Sequence, residues 1–462
     1  MIDSQGLEVA TDSPATMAAI DAFGESFLGY GLDAPRILDG VEADPGCVMA
    51  RSLAAALHLF DESPGSRRLA SDQLAAARPH LDSATPRERL THEGVEAWAR
   101  CRYDAAMAAH EEIAARWPRD LVSVKFGQYH AFNRGDTGRM LQMIESVIDH
   151  NDDRAYAHGM YAFALEQTRQ MAMAEREGRL ATSMQRREPW AHHAVAHCLD
   201  SGGRLQEGVE WMHSLSDTWA DCNSFMYTHN WWHTAVFHLD RDEPEIALQI
   251  YDRHVWPVLP TYSQDQIGAV ALLARLEVRD VDVGDRWEEV AGYLDSRTGD
   301  HVEPFLDLHY LYGLARAGHL EEARLLLSNI EDHAGTCDPF VREAWAEVAV
   351  PAARALLAHA TGQWRTSLEG LTTVLPRLQS IGGSHAQRDL FGLLHWDAAR
   401  RAGDHLTESA ILGARIRSRP SIPWFHRERA RALTGLGRIE EADSAREMAG
   451  RTATRIRPWE TR

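Results

Sequence analysis

Apolar residues recur three and four positions apart along nearly the whole chain, and there is no sustained run of β-branched residues in the period-two alternation that a strand requires. Alanine, leucine, arginine and glutamate, all good helix formers, are abundant throughout. The pattern predicts an all-α protein. Breakers arrive at intervals that suit short helices: Pro64 with Gly65, Pro118, Pro189, Gly202 with Gly203, Pro244, Pro304, Gly318, Gly362 and Gly403.

Several segments share one grammar, an apolar helix with small residues, a turn with Gly or Asp, then a helix opening on glutamates. LHYLYGLARAGHLEEARLLLSNI (Leu308 to Ile330) and ERARALTGLGRIEEADSAREMAG (Glu428 to Gly450) are examples, and VEAWARCRYDAAMAAHEEIAARWPRD (Val95 to Asp120) closes on a proline. This resembles the tetratricopeptide pattern, in which each helical hairpin buries its face only against its neighbours. The expected architecture is a right-handed tetratricopeptide-like α-solenoid of about ten hairpins, with a closed α/α toroid as the alternative. Either form places one helix of each hairpin on an inner, concave wall. Residues 1–462 are read as one continuous domain, with 1–15 a poorly ordered N-terminal segment and 451–462 a C-terminal tail.

Charge narrows the partners. With 68 acidic against 48 basic residues the net charge is −20, which disfavours nucleic-acid phosphate and anionic membrane as main partners. The basic stretch Arg415 to Arg419 and the tail around Arg451 to Arg457 read as solvated helix faces and ends. Five cysteines at irregular spacing make a disulfide framework unexpected and suit a reducing cytoplasm. No stretch approaches 18 consecutive apolar residues, and MIDSQGLEVATDSP lacks the basic and apolar regions of a leader.

The candidate chemistry lies in two histidine pairs, His193/His197 in PWAHHAVAHCLDSGGR and His229/His233 in THNWWHTAVFHLD. Each has the i,i+4 spacing that puts two imidazoles on one helix face. His193 and His229, like His197 and His233, stand 36 residues apart, close to one hairpin repeat. Stacked hairpins would therefore set the pairs at equal heights and make one four-histidine site. A single pair arises readily in a chain with 24 histidines; two in phase, with Asp200 on the stripe of one, point to a metal or catalytic site. His309 and His385 follow at intervals of about two repeats. Ser384 reads as an N-cap, with Arg388 in the first turn placed to receive a carboxylate or an oxyanion. Glu166 in YAFALEQ and Asp265 in TYSQDQ are further candidate acids, although such residues often serve only as caps or inter-helix hydrogen-bond partners.

HAVAHCLDSGGRLQEGVEW, HNWWHTAVFHLD, FLDLHYLYGLARAG and IGGSHAQRDLF together resemble the tetratricopeptide repeat protein 38 family, over roughly Ala97 to Gly437. Its pattern matches His193, His197, His229, His233, Asp307, His309, His385, Gln387, Arg388 and Asp389, with Glu166 in GMYAFALEQ. Asp200 stands where the family is expected to carry glutamate. The resemblance implies repeats and a set of site residues rather than an activity.

On these grounds the expected function is a metal-dependent hydrolase of an amide or related bond in a small molecule, built in the concave channel. The four histidines would hold zinc, manganese or iron. Glu166 or Asp200 would be general base or orienter of a histidine, Asp265 a further acid, and His309, His385 and Arg388 would stabilise the oxyanion or protonate the leaving group. The alternatives are a non-enzymatic scaffold that binds a peptide or protein, and a haem or other cofactor carrier. Expected partners are a small-molecule substrate and a second copy of the chain, with no nucleic acid and no membrane.

Overall fold

The computed structural model describes residues 1–454. It is helical throughout apart from an isolated bridge between Ile2 and Glu8. Four helices, Pro14–Gly29, Ile37–Ala43, Val48–Leu59 and Pro64–Ala77, precede ten hairpins that run from Pro86 to Ala453. The first five hairpins open at residues 86, 121, 155, 189 and 224, a repeat of 34 or 35 residues. Proline at the first turn starts many of these helices, where its fixed φ is already helical and its missing N–H costs nothing. Thr85 with Glu88 and Ser384 with Gln387 close capping boxes. Consecutive helices pack side by side, and one apolar core runs from Val9 to Phe425. The protein is a tetratricopeptide-like α-solenoid.

The turn inside each hairpin holds a residue in the left-handed region just after its first helix. Six are glycines, Gly135, Gly203, Gly318, Gly362, Gly403 and Gly437; the other four are Cys101, Arg169, Asp242 and Asp280. A side chain at that φ is strained by roughly 1–2 kcal/mol, so it persists where something else holds it. Asp280 pairs with Arg400 at 2.8 Å, Asp242 with Arg427 at 2.6 Å, and Arg169 donates to His385 Nδ1 at 3.0 Å.

Those contacts belong to a larger set that folds the solenoid onto itself. Gln379 donates to the Gly135 carbonyl (2.6 Å) and Ser421 to that of Gly203 (2.6 Å). Arg134 pairs with Glu303, and buried Glu62 accepts from Ser263 Oγ (2.5 Å) and Gln264 Nε2 (2.7 Å). The turns of successive hairpins from Gly135 to Asp280 are thus each clasped by residues from the last third of the chain. An open concave channel at the histidines, expected above, is not what forms; packing fills it.

Two further expectations are corrected. Residues 1–15 are held rather than loose: the Met1 amino group donates to the Val9 carbonyl (2.7 Å), and buried Arg87 pairs with Asp3 and Asp120, both at 2.9 Å. Arg415 and Arg419 are not solvated, being only 11% exposed and paired with Asp389. Of the expected tail, residues 455–462 lie outside the described residues. All five cysteines are free thiols, and no described helix is long and apolar enough to cross a membrane.

Candidate functional site: a buried four-histidine cluster beside a basic cleft

The helices Pro189–Ser201 and Ser224–Asp240 are the first helices of consecutive hairpins and pack against each other. Because their histidine pairs share the repeat's phase, the four imidazoles meet. One ligand-capable nitrogen from each of His193, His197, His229 and His233 lies within 4.8 Å of all the others. Nε2 of His193 is 2.9 Å from Nε2 of His197 and 3.1 Å from Nε2 of His229.

Aromatic rings wall the cluster. Trp190 stacks on His193 with centroids 4.5 Å apart, Phe163 packs at 5.1 Å from the same ring, and Phe225 stacks on His229 at 5.3 Å. Trp232 lies parallel to His229 and edge-on to His233, at 5.7 and 4.8 Å. Burial, then the neighbouring histidines, push His193 and His233 well below the ordinary imidazole pKa, and burial pushes His229 down to about 3. These three rings are neutral at pH 7.

Glu166, on the helix Ala155–Gln167, is fully buried with one carboxylate oxygen 3.4 Å from His197 Nδ1. Burial works to raise its pKa, but His197, with His385 and Arg169, outweighs it and the carboxyl sits below its usual value. Of the other acids, Asp200 turns away from the histidine stripe to Arg419 (3.1 Å). Asp265 accepts from Thr228 Oγ1 (3.2 Å), and burial pushes it up to about 7. Neither belongs to the four-nitrogen group. His309 donates Nδ1–H to the Phe305 carbonyl (2.7 Å), and burial takes it down to about 4. With His229 it lines a cavity of about 10 Å³, roughly the room of one water.

His385 and Arg388 stand together at a separate mouth. Arg169 and Arg388 both point at His385 Nδ1, at 3.0 and 3.3 Å. Arginine can only donate, so Nδ1 accepts and Nε2–H donates to the Gln167 carbonyl (3.1 Å). These groups edge a cleft of about 720 Å³ between the turn at Arg169 and the start of the helix His385–Arg401. Neither guanidinium has a carboxylate within ion-pairing distance among the described residues. Burial, then Arg169, lowers the Arg388 pKa to about 10.

Sequence reading missed several members. Arg169 carries no motif, and only its left-handed backbone in a hairpin turn marks it. Lys125, the only lysine in the chain, lies 3.6 Å above the Tyr30 ring, which stacks on Trp190 at 5.3 Å. Its amine donates to the Phe27 and Leu28 carbonyls at the end of the helix Pro14–Gly29, and burial drives its pKa down to about 7. An amine-acylating reagent at pH 8 is expected to leave Lys125 unmodified in the folded chain and to modify it in urea; peptide mass mapping reads the difference, and modification of the folded chain would contradict this burial.

No family model matches the chain. Solved structures are distantly similar to it. The human IFIT1 dimer with m7Gppp-AAAA has a TM-score of 0.41 at 12% identity, covering 95% of this chain and 99% of that one. The P58(IPK) TPR domain has a TM-score of 0.23 at 12% identity, covering 79% and 93%. Naa15/Naa10 bound to HypK-THB has a TM-score of 0.25 at 10% identity, covering 80% and 64%. At such distances these likenesses say nothing of function.

The geometry of the site corrects the expected metal-dependent hydrolase with a small-molecule substrate. A cavity of about 10 Å³ beside the histidines admits no amide substrate, and rings and helices fill the remaining space. The same tightness leaves no place for a haem. His385 and Arg388, expected to serve an oxyanion, face a different opening.

Proposed function

We propose that this chain is a non-enzymatic binding scaffold, a member of the tetratricopeptide repeat protein 38 family acting in the cytoplasm, that grips an acidic segment of a protein partner in the cleft at Arg169, His385 and Arg388. The observation that carries the reading is the pair of guanidiniums without carboxylate partners at the edge of that cleft. Neighbouring Asp389 does not neutralise them, because it is committed to Arg415 and Arg419. Arg169 is exposed and offers its remaining N–H groups to a carboxylate, Arg388 adds its charge while its Nη1 donates to the Gly382 and Gly383 carbonyls, and the neutral imidazole between them adds no competing charge. Leu375, Pro376 and Leu378 supply an apolar wall for the rest of a peptide. The strained turn supports the reading too, since glycine would suit Arg169 better unless its side chain were used. The blocks that resemble the family supply Glu166, His385 and Arg388, and five free thiols suit a reducing compartment.

Arg169→Gly is the discriminating variant, because it removes a guanidinium while placing at φ +65° the residue that conformation favours. A fluorescent octaglutamate peptide is expected to bind the wild type with an affinity that falls with salt. Arg169→Gly and Arg388→Ala should each weaken it about tenfold or more, as loss of a charge-assisted contact implies. Equal binding by wild type and Arg169→Gly, or tighter binding of an RNA octamer than of the peptide, would overturn the reading.

A further inference from the structure

We infer that His193, His197, His229 and His233 hold one divalent transition-metal ion, zinc first, as a closed structural centre that staples the hairpins opening at Pro189 and Ser224. This site is separate from the basic cleft and stands without the partner-binding reading.

The argument begins with proton counting. A neutral imidazole offers one N–H and one lone pair. Nε2 of His193 faces both Nε2 of His197 and Nε2 of His229, at 2.9 and 3.1 Å, and its single proton or lone pair can serve only one of them. His193 Nδ1 and His233 Nε2 are buried without any hydrogen-bond partner among the described residues. His192, one residue from the cluster, shows what a packing histidine looks like here: Trp219 Nε1 donates to its Nδ1 at 3.1 Å, and its Nε2–H donates to the Arg186 carbonyl at 2.9 Å. Protons cannot satisfy the meeting of these Nε2 atoms, whereas an ion that accepts one lone pair from each ring does, and leaves only His193 Nδ1–H without a partner.

Geometry and charge agree. Metal–nitrogen bonds of about 2.0–2.1 Å set tetrahedral nitrogen–nitrogen edges near 3.4 Å. Two of the present separations lie just under that value and all lie within 4.8 Å, so small ring rotations reach it. Four neutral nitrogens in a tetrahedron suit zinc over magnesium or calcium, which take oxygen ligands. Glu166 beside His197 Nδ1 keeps the proton on that nitrogen, leaves Nε2 free to ligate, and offsets part of the ion's charge. With four protein ligands no position is left for a reacting water, which makes the centre structural.

The test uses the full chain prepared without added metal or chelator. Plasma mass spectrometry is expected to find close to one zinc per chain, and none in His197→Ala or His233→Ala. Because those variants could fail to fold, Glu166→Gln serves as the second: it should remain helical by circular dichroism and bind zinc about 10- to 100-fold more weakly in competition with a chromophoric chelator. Wild-type chain refolded from urea with cobalt(II) should show the visible absorption of a tetrahedral site, removed by zinc. A wild-type chain that refolds without taking up cobalt or zinc, or histidine variants that fold and keep their metal, overturns the assignment.

Discussion

Arg419→Ala is expected to cost about 3–5 kcal/mol of folding stability, the range for removing one partner of a buried ion pair. One guanidinium serves three carboxylates: Nη1 meets Asp200 at 3.1 Å and Asp240 at 3.2 Å, and Nη2 meets Asp389 at 3.3 Å. Asp240 keeps Arg279 and Asp389 keeps Arg415, but Asp200 has no other ion-pair partner among the described residues. Truncation therefore leaves a buried carboxylate uncompensated. The sign of the pH dependence follows. Burial already holds Asp200 above its ordinary pKa against the pull of Arg419, and without that pull it rises further. A carboxyl whose folded pKa lies above its unfolded value loses stability as pH climbs through that window. The deficit of the variant should be largest near neutrality and shrink below about pH 4, where the unfolded carboxylates also take up protons. Urea denaturation of wild type and variant at both pH values measures it; a deficit independent of pH would contradict the role given to Asp200. Arg419→Lys keeps the charge but not the fork, and should fall between.

Trp232→Ala is the second large effect, about 3–5 kcal/mol by the usual cost of deleting a buried indole. Trp232 is 2% exposed, walls two of the four histidines, and lies under the guanidinium of Arg275 at 5.0 Å. Arg275 is buried without an ion pair among the described residues, donating to the Ala386 carbonyl at 2.6 Å, and burial lowers its pKa to about 10. The indole face favours that charge alongside Asp389, Asp240 and Asp200 at longer range, so truncation removes packing and cation–π attraction together. Trp232→Phe restores a ring and should recover most of the loss in a urea titration. In protein loaded with zinc, water admitted through the alanine variant should also speed removal of the zinc by a chelator, a second readout on the same protein.

The helices were legible because their signals are local. Pro86, Pro189, Pro304 and Pro423 mark starts, and glycines such as Gly318 and Gly403 mark turns. Cys101, Arg169, Asp242 and Asp280 occupy the same turn position without a turn residue's signature, because distant partners hold three of them in place. The histidine cluster was legible for a different reason: its 36-residue offset nearly equals the repeat, so periodicity alone carried side chains from two helices to one point. Asp200 shows the limit of that logic. It lies on the right stripe for the cluster, yet a partner 219 residues away captures it, and no local pattern encodes that capture. The basic run at Arg415 to Arg419 was misread for the same cause, since its acidic partners come from other helices. The hydrolase expectation failed over space: spacing shows which nitrogens meet, while only packing shows that the cavity lined by His229 and His309 has room for about one water.

The clasps between hairpin turns and the last third of the chain bear on how the molecule comes apart. A simple solenoid is a row of nearest-neighbour units that can unzip from either end, with intermediates of partial length. Here Gly135 leans on Gln379, Gly203 on Ser421 and Asp242 on Arg427, so none of the hairpins opening at residues 121 to 263 can be released without breaking contacts that skip many units. Such wiring converts a row of weakly coupled steps into a shared transition. It also raises the average sequence separation of contacts, which slows folding. On a ribosome, the hairpins opening at residues 121 to 263 would emerge well before their clasps, and would reach final rigidity only as the last third of the chain arrived.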